Sequence, residues 1–262
     1  CIPENLIQAQ MMSGVKTPLV EWINKLKLDG IEALTAQTGA FGLTGKQLVM
    51  VHEQLVRPVN FSTRGVKNSE VVMRINRQLE IPVTLAPSAR AAMAGNEVVV
   101  EEMQGLSSGT VMAAVLRPLG LVLLPQRPQG QAVSLLVTPT SASREAWPVG
   151  WPLQKPPGMV APSLFKILNV EIRDIVLQKA LDALKPRLDL PMLMDHNSMV
   201  RERIDPAVVK VTVPAGKTFY KKILDRLLSQ VGLTCRLRVD EAGKPFLWIT
   251  SAKRPAARSE DR

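Results

Sequence analysis

Six prolines between Pro139 and Pro162 limit what this chain can fold into more than any other feature. Each proline fixes its own φ and removes a backbone N–H, so the stretch can form neither a long helix nor an interior strand. Extended or polyproline II backbone is its natural state. It divides a 262-residue chain into two parts, each large enough to bury a core. Trp147 and Trp151 lie inside it. Two indoles in a solvated linker are unfavourable, so the strap is expected to lie against a domain. The alternative is an exposed patch through which Trp147 and Trp151 contact a partner.

Beyond the strap, Ile172, Ile175, Val176, Ala180, Leu184 and Leu188 recur at helical spacing and predict a helix over 172–188. Leu190 to Met194 reads as a short strand. Val209, Val211 and Val213 alternate with polar positions, as in a half-buried strand closed by Pro214. Thr218 is placed to cap a helix whose Phe219, Ile223, Leu224, Leu227, Leu228 and Val231 share one face, with Gly232 ending it. Cys235, Leu237 and Val239 alternate up to the turn at 240–244, and Phe246 to Thr250 returns as the second arm of a hairpin.

A similar order precedes the strap. The end of a helix over 71–79 leads to strands at 81–85 and 98–100, a helix over 110–119, and a hairpin of 121–124 with 132–137. Leu79-Glu-Ile-Pro-Val83 echoes Leu188-Asp-Leu-Pro-Met192, and Leu116-Arg-Pro-Leu-Gly-Leu121 echoes Leu228-Ser-Gln-Val-Gly-Leu233. The fold class expected is therefore α+β, with two related α-β-β-α-β-β units. The divisions are a helical lead at 1–60, a first unit at 61–138, the strap at 139–163, a second unit at 164–251 and a mixed-charge tail at 252–262 without fixed structure. In the lead, Pro18 to Leu28 and Gln47 to Leu55 read as helices separated by a loop at Gly39, Gly42 and Gly45.

Ala180-Leu-Asp-Ala-Leu184, Val209-Lys-Val-Thr-Val213, Ile223 to Leu233 and Phe246-Leu-Trp-Ile-Thr250 together resemble the secretin and TonB short N-terminal (STN) domain. The resemblance covers most of 166–251 and, more loosely, 62–138. It implies a small α+β module of the bacterial cell envelope that binds a protein partner through sheet edges, without catalytic, cofactor or metal residues. Neither a β-barrel nor a secretin core follows residue 251, so the expectation is a stand-alone tandem module, periplasmic or envelope-bound. The chain opens on Cys1 rather than Met. That fits a fragment or a trimmed signal, with a lipid-bearing lipoprotein cysteine as the other option.

Direct chemical signals are sparse. Cys1 and Cys235 form no C-x-x-C pair and the two histidines are far apart, so neither a metal site nor a cofactor is expected. Gly216-Lys217-Thr218 and Gly42-Leu-Thr-Gly45-Lys46 look like pieces of phosphate loops, but Val211 and Ala40 stand where each would need glycine. Asp195-His196-Asn197 could supply a general base, yet it reads more simply as a hydrogen-bonded turn. His52-Glu53 reads as helix surface. No segment reaches the ~20 apolar residues of a membrane span.

The formal net charge is +10, and residues 164–262 hold 19 basic against 12 acidic side chains. Lys217, Lys221, Lys222 and Arg226 lie near the polar face of the last helix, where solvent or a polyanion could meet them. Nucleic acid is thus the alternative partner, although Tyr220 is the single tyrosine and no stacking platform is evident.

Overall fold

A computed structural model describes residues 39–253. The expected helix at Pro18 to Leu28, Cys1 and the tail beyond Lys253 lie outside the described residues. The fold is mixed α+β. Helix α1 (Gly45–Leu55) opens with a capping box, in which the Thr44 hydroxyl accepts from Gln47 N and the Gln47 side chain accepts from Thr44 N. The phosphate-loop-like Gly42 to Lys46 is therefore a helix start. The lead packs on the first unit, as its apolar Val51 and Leu55 require.

The first unit runs α2 (Asn68–Asn76), β1 (Val83–Leu85), the single turn α3 (Arg90–Met93), α4 (Ser108–Leu116), β2 (Leu121–Gln126) and β3 (Ser134–Pro139). Its sheet has the order β1-β3-β2, with β1 parallel and β2 antiparallel to β3. Eight of the nine residues of α4 are buried, because α1, α2, β2 and the second unit surround it. The expected strand at 98–100 is absent. Val98 makes only an isolated bridge to Lys67, and Val98 and Val100 are exposed, so no ladder forms on the other side.

The strap is not uniformly extended: Pro157 starts a one-turn helix, α5 (Pro157–Val160), where its missing N–H costs nothing. The second unit follows as β4 (Ile167–Val176), α6 (Leu177–Leu188), β5 (Met192–Met194), α7 (His196–Arg201), β6 (Lys210–Phe219), α8 (Tyr220–Ser229), β7 (Leu233–Val239) and β8 (Pro245–Ser251). Its main sheet has the order β5-β8-β7, again with one parallel and one antiparallel neighbour. Three expectations need correcting here. Helix α6 begins at Leu177, because Ile172, Ile175 and Val176 lie in β4 and pair with β6 at Val213, Val211 and Lys210. Strand β6 continues through Pro214 to Phe219. Thr218 is consequently a strand residue with a buried, unpartnered hydroxyl, and α8 starts without a side-chain cap. The simple α-β-β-α-β-β order thus describes neither unit strictly, since the first lacks a strand and the second gains β4 and α7.

One strand sets the relation of the halves. Along β8, Leu247 and Ile249 face α6 and α8, whereas Phe246 and Trp248 enter the core of the first unit with Leu193 of β5. Covered on both faces, β8 reads as the unbroken apolar run Phe246 to Ile249. The strap lies against both units, as its tryptophans require. Trp147 N donates to Leu123 O at 2.7 Å, and Trp151 exchanges backbone bonds with Val239 at 2.7 and 3.1 Å.

Between those anchors Gly150 has φ 68°, and a Cβ there would lie 2.3 Å from the ring of the fully buried Phe246. Gly150→Ala is therefore expected to cost about 3 kcal/mol, combining left-handed strain with overpacking. Gly216→Ala, in open space on β6, should stay within about 1 kcal/mol. Urea unfolding of the two variants checks the contrast.

Candidate functional site

The polar side chains that the sequence marks out converge on the seam between the units. Asp195 caps α7, accepting from Ser198 N at 3.3 Å. Its carboxylate also receives Arg117 Nε at 2.9 Å, Arg117 Nη2 at 2.8 Å and the Thr250 hydroxyl at 2.8 Å. Arg117 follows α4 in the first unit, so the bidentate pair crosses the seam. Burial works to raise the Asp195 carboxyl, but the bonds and charge of Arg117, with Thr250 and Ser198, hold it below its ordinary value.

His196 Nε2 lies 2.7 Å from Glu101 Oε1 of the first unit. That hydrogen bond raises the imidazole pKa against partial burial, aided by the charges of Glu101 and Asp195. The Asn197 amide donates to Arg117 O. All three residues of the cluster thus reach across the seam, each to a different group. Asp195 and His196 do not converge on one substrate atom, as a general-base pair would require.

A second clamp uses the β7–β8 turn. Helix α4 starts without a cap from its own Ser107 side chain. Asp240 accepts from Ser107 N at 2.8 Å, while Glu241 accepts from Thr110 N at 3.2 Å and Thr110 Oγ1 at 2.9 Å. Two carboxylates 133 and 131 positions downstream of their donors therefore satisfy orphan N–H groups at the positive end of α4. Glu241 also accepts from Trp147 Nε1 at 2.6 Å, which fixes the strap. Burial pushes the Glu241 carboxyl up, and these hydrogen bonds only partly offset it. The approach is so close that a Cβ on Gly109 would stand 2.5 Å from Glu241 Oε1.

The other sequence-marked residues scatter. Trp147 is only 4% exposed, so it is an internal anchor, not a partner contact. Trp151 is half-buried and packs edge-on against Trp147, with ring centroids 5.3 Å apart. Lys221 is bound to Asp225 at 2.6 Å, so its charge is already spent within α8. Lys217, Lys222 and Arg226 are exposed and make no ion pair among the described residues. Gly216-Lys217-Thr218 is strand, and His52 and Glu53 belong to α1. Cys235 is buried, and desolvation pushes its thiol up to about 12. Among the described residues no group of three or more His, Cys, Asp or Glu could hold a metal, and no helix is long and apolar enough to cross a membrane.

Sequence reasoning did not find Arg117, Glu101, Glu241 or Arg238. Arg238 donates to Val149 O at 2.7 Å and ties β7 to the strap. No local pattern distinguishes these residues, because each acts on a partner about 80 to 130 positions away. No family model, curated protein or solved structure matches the chain.

Two outcomes follow from the seam. Arg117→Ala leaves a carboxylate whose side chain is 1% exposed without its counter-ion. The expected loss is about 2–3 kcal/mol, reduced from a fully buried pair because Arg117 is half exposed. Asp195 has a lowered folded pKa, so this contribution is present above its unfolded value near 3.8 and disappears as pH falls through the folded value. Denaturant midpoints of both proteins at pH 7 and in acid test this. His196 has a raised folded pKa, so its contribution is complete below about 6.5 and is lost as pH rises through the folded value. Glu101→Gln should flatten that decline in melting curves taken between pH 6 and 8.5.

Proposed function

We propose that the chain is a non-enzymatic binding module of the bacterial cell envelope, which takes an extended segment of a partner protein along the outer edge of β4. The observation that carries this reading is the two-stranded ribbon of β4 and β6. Each strand is ten residues long, and among the described residues no third strand pairs with β4. An edge strand presents unpaired N–H and C=O groups that a partner strand can satisfy. The β6 edge is less open, because the Gln230 side chain exchanges hydrogen bonds with Thr212 N and O.

The two ends of β4 differ. Toward Val176 the register shifts twice, Asp174 takes φ 49°, and Glu171, Arg173 and Asp174 bring charge to the ribbon. Bulges and charges of this kind protect an edge from pairing. From Ile167 to Val170 the register is unbroken. Ile167 is 66% exposed there, and Phe165 stacks on Phe219 with centroids 5.8 Å apart. Lys166 and Lys217 flank this apolar end. The fitting partner is therefore an extended segment with apolar side chains at alternate positions and acidic residues beside them. The STN resemblance of 166–251 supports the same reading and suggests the envelope location. The nucleic-acid alternative is weaker, since Lys221 is taken by Asp225.

Peptides displayed from a random library and selected on the full chain provide the test. Enriched peptides should alternate apolar with acidic residues. Their affinity should fall at least about tenfold for Ile167→Asp combined with Lys166→Glu, both at exposed positions. Peptides that bind this variant as well as the parent would overturn the proposal. A chain that sediments as a dimer dissolved by the same changes would also overturn it, assigning the edge to self-association.

A further inference from the structure

A cleft of about 390 Å³ opens between the units, beside the clamp of Asp195 and away from the ribbon. Its walls bring together Arg117 from the turn after α4, Arg201 from the end of α7, Arg238 from β7, Trp248 from β8, and Trp147 to Val149 of the strap. Among the described residues no Asp or Glu side chain lines it. Arg236 stands two residues before Arg238 on the same side of β7, opposite Trp248, and adds a fourth guanidinium to the neighbourhood.

These cations are incompletely balanced. Arg117 commits Nε and Nη2 to Asp195 and lies over the Trp248 ring, 5.8 Å from its centroid. Asp195 is therefore fully used. Arg238 gives Nη1 to the carbonyls of Val149 and Gly150, at 2.7 and 3.5 Å, and pairs with no carboxylate among the described residues. Arg201 reaches Glu202 only at 3.8 Å, while Lys253 holds that carboxylate at 2.6 Å. A half-buried guanidinium with like-charged neighbours and no counter-ion is unfavourable in the free protein. Burial, followed by the charges of Arg236 and Arg117, lowers the Arg238 pKa despite the opposing charge of Asp195.

We infer that this cleft is a binding site for a phosphate group, held by Arg238, Arg201 and Arg236 with the remaining donor of Arg117. The charge balance favours phosphate over carboxylate. Three guanidinium groups line the cleft and Arg236 stands beside Arg238, whereas Asp195 is committed to Arg117 and Glu202 is held more closely by Lys253 than by Arg201, so a single carboxylate would leave most of the excess uncompensated. The cations also approach from a helix end, a turn and a strand, so they surround a tetrahedral anion more readily than they align on a planar one. Trp248 supplies an apolar wall for whatever carries the phosphate. The phosphate can belong to a small phosphomonoester or to a lipid headgroup, and the same guanidinium groups would recognise either.

Isothermal titration of inorganic phosphate and pyrophosphate into the full chain at low ionic strength tests the site. One saturable event per chain is expected, tighter for pyrophosphate. Arg238→Gln and Arg201→Gln should each weaken it at least about tenfold, the scale of one lost charged hydrogen bond, and Lys217→Gln on the ribbon should leave it unchanged. If Arg238→Gln does not fold, the exposed Arg201→Gln and Arg236→Gln decide the matter. Competition by glycerol phosphate would identify a small-ligand site, and competition only by phosphatidic-acid vesicles a headgroup site. The inference is overturned if no saturable heat appears up to about 10 mM pyrophosphate. It is also overturned if binding survives both Arg201→Gln and Arg236→Gln, or if Lys217→Gln weakens it equally.

Discussion

The arrangement depends on β8 being buried from both sides. Leu247 and Ile249 close the core beneath α6 and α8, and Phe246 and Trp248 complete the core of the first unit. Separating the halves would expose Phe246 and Trp248, large aromatic surfaces that are now almost wholly covered. The first unit could not close its core alone, because Phe246 and Trp248 are part of that core. The strap follows from the same constraint. It runs along the closed seam, bonding to β2 at Leu123 and to β7 at Val239, and so covers strand edges that would otherwise be open.

A seam closed by apolar contacts alone would tolerate sliding, since hydrophobic association has little direction. The polar clamps provide direction. Arg117 on Asp195 is bidentate, and Asp240 with Glu241 fits only the free N–H groups at the start of α4. These carboxylates are deeply buried, so any shift that separated them from their donors would leave desolvated acceptors unpaired. The clamps therefore contribute more to a single arrangement of the halves than to net stability. Their opposite pKa directions reflect their partners: Asp195 meets a full positive charge, whereas Glu241 meets only neutral donors.

The sequence is most legible where burial has one side and one period. Ile223, Leu224, Leu227 and Leu228 mark α8, and the hairpin of β7 and β8 is plain from its alternation and its turn. It is ambiguous where two periods coincide. Ile172, Ile175 and Val176 fit a helical face, yet they also suit a strand, and pairing with Val213 and Val211 decides between the two. Thr218 carries a capping side chain, but a ladder bonding Leu168 opposite it extends the strand past the cap position. The Asp195 cluster reads from its own residues as a turn, and the local bond of Asp195 to Ser198 N fits that, but the cluster opens helix α7 and Asn197 bonds to Arg117 O instead. Its partners Arg117 and Glu101 are not legible, because in a lone sequence they are one arginine near a proline and one of two adjacent glutamates.

The fold also changes the meaning of the net charge. Composition places +10 on the chain, and a walk along the sequence finds the cations dispersed, which argues for solvation. The fold regroups them. Lys221, Lys185, Lys210 and Lys253 are drawn into local pairs with Asp225, Asp182, Asp174 and Glu202, so they add little to the outward field. Arg117, Arg201 and Arg238, up to 121 positions apart, line one cleft, and Arg236 stands beside Arg238. Asp195 holds Arg117 and serves the seam, and Glu202 reaches Arg201 only at 3.8 Å. Charge density here is a property of the contact between two units, and the excess positive charge acts where the pairing of carboxylates ran out.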